Sequence, residues 1–308
     1  MTATDIRLPG PCNEPPEELM QFDLGRADAG AAIALPPLMG CGVERWLAAG
    51  PVSTSQQGRF TVARAAHYQF ASVALPVTDA EMRSVSESVY RELMALVQDS
   101  AYPQLVRFWN YVPEINRGAE DTEVYRQFCW GRADAFADLP DTELPAATAI
   151  GSADGILRVS LLSAASAITV EHMENPRQVS AYHYPRQYGP KSPSFARATQ
   201  ISLGDETLLL LSGTSSIVAH ETRHAHNLCK QTAETQRNIS ELLQTSAKAA
   251  ALRPVLLRYY LRDPDALAEA QTAYQGSFSG WPAAAYLQGD ICRQALQMEI
   301  DGVFSTLG

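Results

Sequence analysis

His220-Glu221-Thr222-Arg223-His224 fits the pattern H-E-x-x-H. On a helix, the two histidines of that pattern share a face and can hold zinc, with the glutamate as the base of a hydrolytic reaction. The surroundings favour another reading. Helices carrying such a motif are usually apolar around it, whereas Thr222, Arg223, His226 and Asn227 are polar. The motif also follows a strand-like run and a Ser-Gly-Thr-Ser-Ser turn at residues 212–216, which predicts a loop or a helix start. No third ligand stands out downstream, so solvated loop histidines are the plainer reading.

Cys292 and Glu299, in ICRQALQMEIDG at residues 291–302, offer a different chemistry. In an extended strand the side chains alternate, which puts Gln297, Glu299 and Asp301 on one face and Met298 and Ile300 on the other. One reading is a strand edge facing solvent, which is common for Glu and Asp. The other is a carboxylic acid at the mouth of an apolar pocket. Desolvation raises the pKa of such a group and lets it donate a proton near neutral pH. The alternation leaves both readings open.

Anion recognition is the third candidate. Residues 175–199, NPRQVSAYHYPRQYGPKSPSFARAT, hold four prolines, three arginines, three tyrosines and one lysine, without apolar periodicity. Arginine forks match carboxylates, and tyrosine adds a hydroxyl beside an apolar ring. The segment reads either as a rigid connector or as an anion-binding rim. Gly131-Arg132 interrupts an otherwise helical FCWGRADAF. A mid-helix glycine costs about 1 kcal/mol against alanine, so a packing or ligand reason is expected. The plain alternative is a close helix–strand contact with Arg132 solvated.

These residues sit on two stretches that repeat one order. The first opens with strand-like FASVALP at 70–76, followed by a capping box of Thr78 and Glu81. Met82, Val85, Val89, Leu93 and Leu96 then recur at helical spacing. VRFWNYV reads as a strand, VYRQFCWGRADAFADL as a helix, and ILRVSLL as a closing strand. The second stretch runs through TLLLLSG at 207–213, a long helix ending in KQTAETQRNISELLQ, strand VLLRYYL, a helix over 263–273 and a final strand LQMEIDGVF. RELMAL pairs with SELLQT, VRFWNYV with LLRYYL, and PAATAI with PAAAYL, at an offset drifting between about 137 and 151 residues. Loop insertions produce such drift, and the order suggests a duplicated β-α-β-α-β unit. The first 55 residues are rich in Pro, Gly and Ala and read as an irregular extension with short strands at most.

Composition bounds the function classes. The chain has 308 residues, and at about 150 residues per domain two domains are expected. With 46% hydrophobic and 19% charged residues it is a globular chain. Its 24 basic and 34 acidic residues give a net charge of −10, which argues against nucleic-acid and anionic-membrane partners. Five cysteines, Cys12, Cys41, Cys129, Cys229 and Cys292, lie far apart without a CxxC, so a reducing compartment is expected. Asp5, Pro9 and Pro11 stand where a signal peptide needs an apolar run, and residues 156–170 are too short and polar to span a bilayer. A cytoplasmic protein is expected.

The second half resembles the RidA/YjgF family. That resemblance rests on Ser212-Gly213, on Gln231-Thr232 with Asn238-Ile239, and on Met298-Glu299-Ile300-Asp301. Joined with RFWNYVPEIN, FCWGRADAF, HYPRQYGPKSPSFARAT, SGTSSIV before HETRH, and DICR before MEIDG, residues 55–308 resemble the chorismatase family. The resemblance implies an α+β fold of two tandem RidA/YjgF-like, chorismate-mutase-like units. The implied bounds are an extension over 1–55, a divergent first domain over 56–172 and a catalytic domain over 173–308.

It further implies an enzyme that cleaves chorismate, a small-molecule substrate, to pyruvate and a cyclic acid, with no cofactor and no metal. Glu299 would act as the acid, with Gly213 lining the cleft and Arg132 on the opposite wall. The arginine that follows a proline in simple RidA proteins is replaced by Pro282-Ala-Ala-Ala, which weakens an imine-deaminase or pure binding role. Arg132, Arg186 and Arg197 are then the carboxylate candidates, and Tyr182 and Tyr184 shape the pocket. Gly213 with Cys292 implies 3-hydroxybenzoate, with some 4-hydroxybenzoate, over a dihydroxycyclohexadiene carboxylate. RidA proteins are trimers, and a duplicated chain is expected to be a monomer or a trimer.

Overall fold

The structure is a computed structural model and describes residues 3–10, 15–23, 35–40 and 42–306. Cys12, Cys41 and Pro11 lie outside the described residues. Cys129, Cys229 and Cys292 are free thiols.

The N-terminal region carries strands β1 (Ala3–Arg7), β2 (Pro16–Asp23), β3 (Pro37–Met39) and β4 (Val43–Ala49). Three of them form a sheet of order β1-β4-β2. It is more regular than the expected extension, because β4 alternates and turns Glu44, Trp46 and Ala48 inward.

The first repeat comprises β5 (Ser53–Gln57), β6 (Phe60–Arg64), β7 (Tyr68–Pro76), α1 (Met82–Gln98), β8 (Gln104–Pro113), α2 (Val124–Ala135), β9 (Ala146–Ser152) and β10 (Ile156–Ala164). The capping box forms ahead of α1, with Thr78 donating both its N–H and its hydroxyl to Glu81 Oε2. The second repeat comprises β11 (Thr169–Met173), β12 (Ala198–Leu203), β13 (Glu206–Thr214), a small hairpin of β14 (Ile217–Val218) and β15 (Glu221–Thr222), α3 (Leu228–Gln244), β16 (Arg253–Leu261), α4 (Leu267–Ser277), β17 (Ala285–Gln288) and β18 (Met298–Ser305). Asn227 caps α3 by accepting from Lys230 N at 2.9 Å.

The duplication is explicit in the sheets. Their orders, β5-β6-β7-β10-β8-β9 and β11-β12-β13-β18-β16-β17, are the same, with β3 added at the end of the second. The fold is α+β, and the β-α-β-α-β core of each repeat is preceded by a strand pair that the sequence did not reveal. The central strands of each repeat's sheet are buried on both faces. On β13, Leu208 and Leu210 point to one core while Leu209 and Leu211 point to another. The first of these cores is shared by all three sheets and contains Phe22, Trp46, Trp109, Leu210 and Tyr260. Helices α1 and α2 cover the outer face of the first repeat, and α3 and α4 that of the second. No described helix is long and apolar enough to cross a membrane.

Candidate active site

Strand β18 lies between β13 and β16, so its acidic residues do not form the solvent-facing edge that the alternation allowed. Glu299 is 5% exposed and Asp301 fully buried. The ladder between β13 and β18 slips: Leu211 faces Gly302 and Thr214 faces Ile300. Ser212 and Gly213 therefore oppose Asp301 alone, a β-bulge of the kind found beside active sites. The bulge leaves the bare backbone of Gly213 against the carboxyl of Glu299. In the first repeat the equivalent ladder place, opposite Trp109 rather than Tyr260, is held by Ser160, so only the second repeat carries the acid.

Glu299 opens into a cavity of about 690 Å³ between the repeats. One wall is the second repeat: Gly213, Ser215 and Glu299. The opposite wall comes from α2 and β9 of the first, with Tyr125, Phe128, Cys129, Arg132 and Thr148. Tyr184, Tyr188, Phe195 and Arg197, from the proline-studded segment, complete it with Cys292 and Arg293. Burial pushes the Glu299 carboxyl up to about 8, against a hydrogen bond from Ser215 that acts the other way. Burial likewise pushes the Cys292 and Cys129 thiols up to about 12, so both stay uncharged.

Arg132 is 3% exposed, so it is not a solvated residue. Its glycine neighbour serves a helix–helix contact instead of the helix–strand contact considered above. A Cβ on Gly131 would stand 2.1 Å from Arg83 O and 2.8 Å from Glu87 N, both on α1. The Arg132 guanidinium lies over the rings of Tyr90, Phe108 and Phe136, and its Nε and Nη2 have no hydrogen-bond partner among the described residues. Arg197 donates Nη2 to Val179 O and Tyr184 Oη, and its buried Nε is unpaired.

Arg293, which the sequence reading passed over, donates Nη1 to His220 O and Thr222 Oγ1. Its guanidinium stacks 3.9 Å over Tyr188, and its Nη2 is unpaired. Its position directly after Cys292 was the available signal. Buried donors left open in this way fit an anionic ligand.

Two sequence candidates are not brought to the cavity wall. Arg186 is 65% exposed and grips both oxygens of Asp121 on the outer surface, because its short 3₁₀ turn faces the α2 entrance loop. Tyr182 packs onto the outer core of the first repeat and sits edge-on to His183. The HETRH segment is a hairpin, not a helix: Val218 pairs with Glu221, His220 is next to Tyr188 and His224 next to Glu234. Its histidines thus share no helical face, and among the described residues no group of three or more His, Cys, Asp or Glu could hold a metal ion. The cavity as built can bind a small dianion and deliver a proton to it.

Known proteins resemble this chain. A family model described as chorismatase FkbO/Hyg5-like, N-terminal, matches residues 44–163. A 3-hydroxybenzoate synthase of Streptomyces hygroscopicus is 35% identical over 277 residues, covering 84% of this chain and 80% of its own. A chorismatase of Streptomyces rapamycinicus is 33% identical over 273 residues, covering 84% and 81%. The crystal structure of a chorismatase at 1.08 Å resolution aligns with a TM-score of 0.82 at 28% identity, over 97% of this chain and 96% of that one.

Proposed function

The chain belongs to the chorismatase family, and from that membership we propose that it cleaves the enol ether of chorismate to pyruvate and a hydroxybenzoate, with Glu299 as the general acid. The favoured product is 3-hydroxybenzoate, with 4-hydroxybenzoate minor. The supporting observation is the Glu299 carboxyl, buried and held neutral near pH 7, with Oε1 against Gly213 in an arginine-bearing cavity.

Cleavage of an enol ether begins with protonation of its terminal methylene carbon, which leaves an oxocarbenium ion. That step needs one placed acid, and a desolvated glutamic acid suits it. The open N–H groups of Arg132, Arg197 and Arg293 match the two carboxylates of chorismate. Gripping the remote carboxylate helps hold the methylene carbon against Oε1. Pyruvate plus hydroxybenzoate contains every atom of chorismate. The methylene gains one proton and the bond between the ring and the ether oxygen breaks, releasing pyruvate. For 3-hydroxybenzoate the neighbouring ring hydroxyl oxygen closes on the vacated carbon as its own proton leaves. Its bond to its first carbon then breaks and the oxygen takes a proton back. The ring gives up one proton as it aromatises, so the Glu299 carboxylate can recover its proton within the turnover. The balance requires no oxidant or reductant.

Cys292 supports release without external water. Its neutral thiol is a weak hydrogen-bonding group and offers a poor seat for an attacking water. The test is to incubate the purified protein with chorismate, quantify pyruvate and identify the ring product by chromatography against standards. Pyruvate with 3-hydroxybenzoate is expected. Pyruvate with a dihydroxycyclohexadiene carboxylate would keep the cleavage and overturn the product. Absence of pyruvate would overturn the function.

A further inference from the structure

Ser215 follows β13 at the turn into β14 and is 3% exposed. Its Oγ lies 3.1 Å from Glu299 Oε2 and 3.1 Å from the main-chain O of Met298. Its own carbonyl accepts from Asn238 Nδ2 at 3.0 Å and from Ile217 N at 2.8 Å, so the main chain at this point is tied to α3 and to its own turn. Among the described residues, Ser215 makes the one hydrogen bond that reaches the Glu299 carboxyl.

A serine hydroxyl has one proton to donate and two lone pairs, and it turns freely about its C–O bond. Met298 O can only accept. While Glu299 is a neutral acid with its proton on Oε1, Oε2 and Met298 O are both acceptors, and the Ser215 hydroxyl shares its one proton between them. When Glu299 becomes a carboxylate, the hydroxyl can turn and donate to Oε2. The turn breaks no covalent bond and moves no proton between residues. It supplies a hydrogen bond that strengthens as negative charge develops on a carboxyl only 5% exposed, which is where such a bond lowers a barrier.

We propose that Ser215 is a positioning residue of the cleavage. It anchors Oε2 of Glu299, leaves Oε1 beside Gly213 as the oxygen that delivers the proton, and donates to Oε2 as the carboxylate forms. The inference rests on the reading of Glu299 as the acid. The other groups facing Glu299 are Asp301 on its own strand, Arg107 on β8, Arg197 before β12, Cys292 in the preceding loop and Tyr125 on α2. A Ser215 substitution leaves all of them in place, so the change it produces reports the hydroxyl.

The experiment measures kcat, KM and the pH dependence of pyruvate release for Ser215→Ala, Ser215→Thr and Glu299→Gln. Ser215→Ala should lower kcat about 10- to 100-fold, the range for a hydrogen bond to a charged group, with KM within about twofold. Its alkaline limb should move to higher pH, because the lost donor no longer favours the carboxylate. Ser215→Thr keeps the hydroxyl and should restore both. Wild-type kcat with an unmoved limb in Ser215→Ala would overturn the proposal, as would a kcat loss with an unmoved limb that threonine does not repair. If the alanine protein does not fold, Ser215→Cys, with a weak donor of similar size, is judged by the same two readouts. An inactive Glu299→Gln beside an unaltered Ser215→Ala overturns only the role of Ser215, whereas an active Glu299→Gln overturns the acid assignment itself.

Discussion

A Cβ placed on Gly213 would lie 2.0 Å from Oε1 of Glu299 and 2.8 Å from its Cδ. The two residues meet across the bulge between β13 and β18, so the space for the carboxyl exists because position 213 has no side chain. The obstructing atoms belong to the end of a flexible side chain. Gly213→Ala should therefore fold normally and push the carboxyl aside. A displacement near 1 Å at a reacting group costs about 100-fold in rate. Pyruvate release is expected to fall by that order with the melting temperature nearly unchanged. Full activity would show that the carboxyl works from another position. Combined with Cys292→Ala, the residual product should shift from hydroxybenzoate toward the dihydrodiol, read by chromatography.

The raised pKa of Glu299 sets a pH window. The competent form is the neutral acid, so turnover should hold at neutral pH and fall as pH rises through about 8. The same shift has a sign in stability. The folded state holds the proton more tightly than the unfolded chain, so the stability gained is complete below the ordinary glutamate range and is lost as pH rises through about 8. Glu299→Gln should abolish turnover and also remove that alkaline loss. The loss runs from the ordinary glutamate range up to about 8, so melting curves of both proteins at about pH 5 and at about pH 8 check it: the wild type should lose more than the variant.

The arginines divide into two groups. Arg132, Arg197 and Arg293 line the cavity with unpaired N–H groups, while Arg186 is paired with Asp121 outside it. Each of Arg132→Gln, Arg197→Gln and Arg293→Gln should raise KM for chorismate about 10- to 100-fold, the loss expected of a charge-assisted hydrogen bond. Arg186→Gln should leave KM within about twofold, since exposed ion pairs contribute little. Steady-state kinetics on the four proteins separate the groups.

Helix α1 was readable because its start is local: Thr78 and Glu81 cap it and the apolar residues recur at helical spacing. The repeat was readable because TLLLLSG and VLLRYYL are largely buried on both faces and mostly apolar. The alternation of Glu299 and Asp301 was correct, yet their neighbours on β13 and β16 come from far along the chain, so burial could not be read. Arg186 and Arg197 look alike in sequence, but a short irregular turn has no period to tell which faces inward. The N-terminal sheet was hidden for a similar reason, since β1 pairs in parallel with the distant β4.

A cluster of buried charges lies behind the site. Asp301 takes Arg107 Nη2 at 2.8 Å, Arg258 Nη1 at 3.1 Å, Thr148 Oγ1 at 2.7 Å and Tyr260 Oη at 3.1 Å. Arg258 also donates Nε to Glu44 Oε1 at 2.6 Å. Arg107 and Arg258 hold the same ladder place in the two repeats, opposite Ala146 and Ala285, so the duplication brings both arginines to one acid. With Glu44 on β4, the cluster ties all three sheets together and balances its charges in full burial. Asp301→Asn leaves the arginines in excess, and an uncompensated buried charge costs about 3–5 kcal/mol. A melting temperature lower by about 6 °C or more is expected at this size. Asp301 also raises the Glu299 pKa, so any active Asp301→Asn protein should lose activity at lower pH than the wild type. That shift is opposite in direction to the one expected for Ser215→Ala. Two limbs moving the same way would mean that Glu299 is not the group the profile reports.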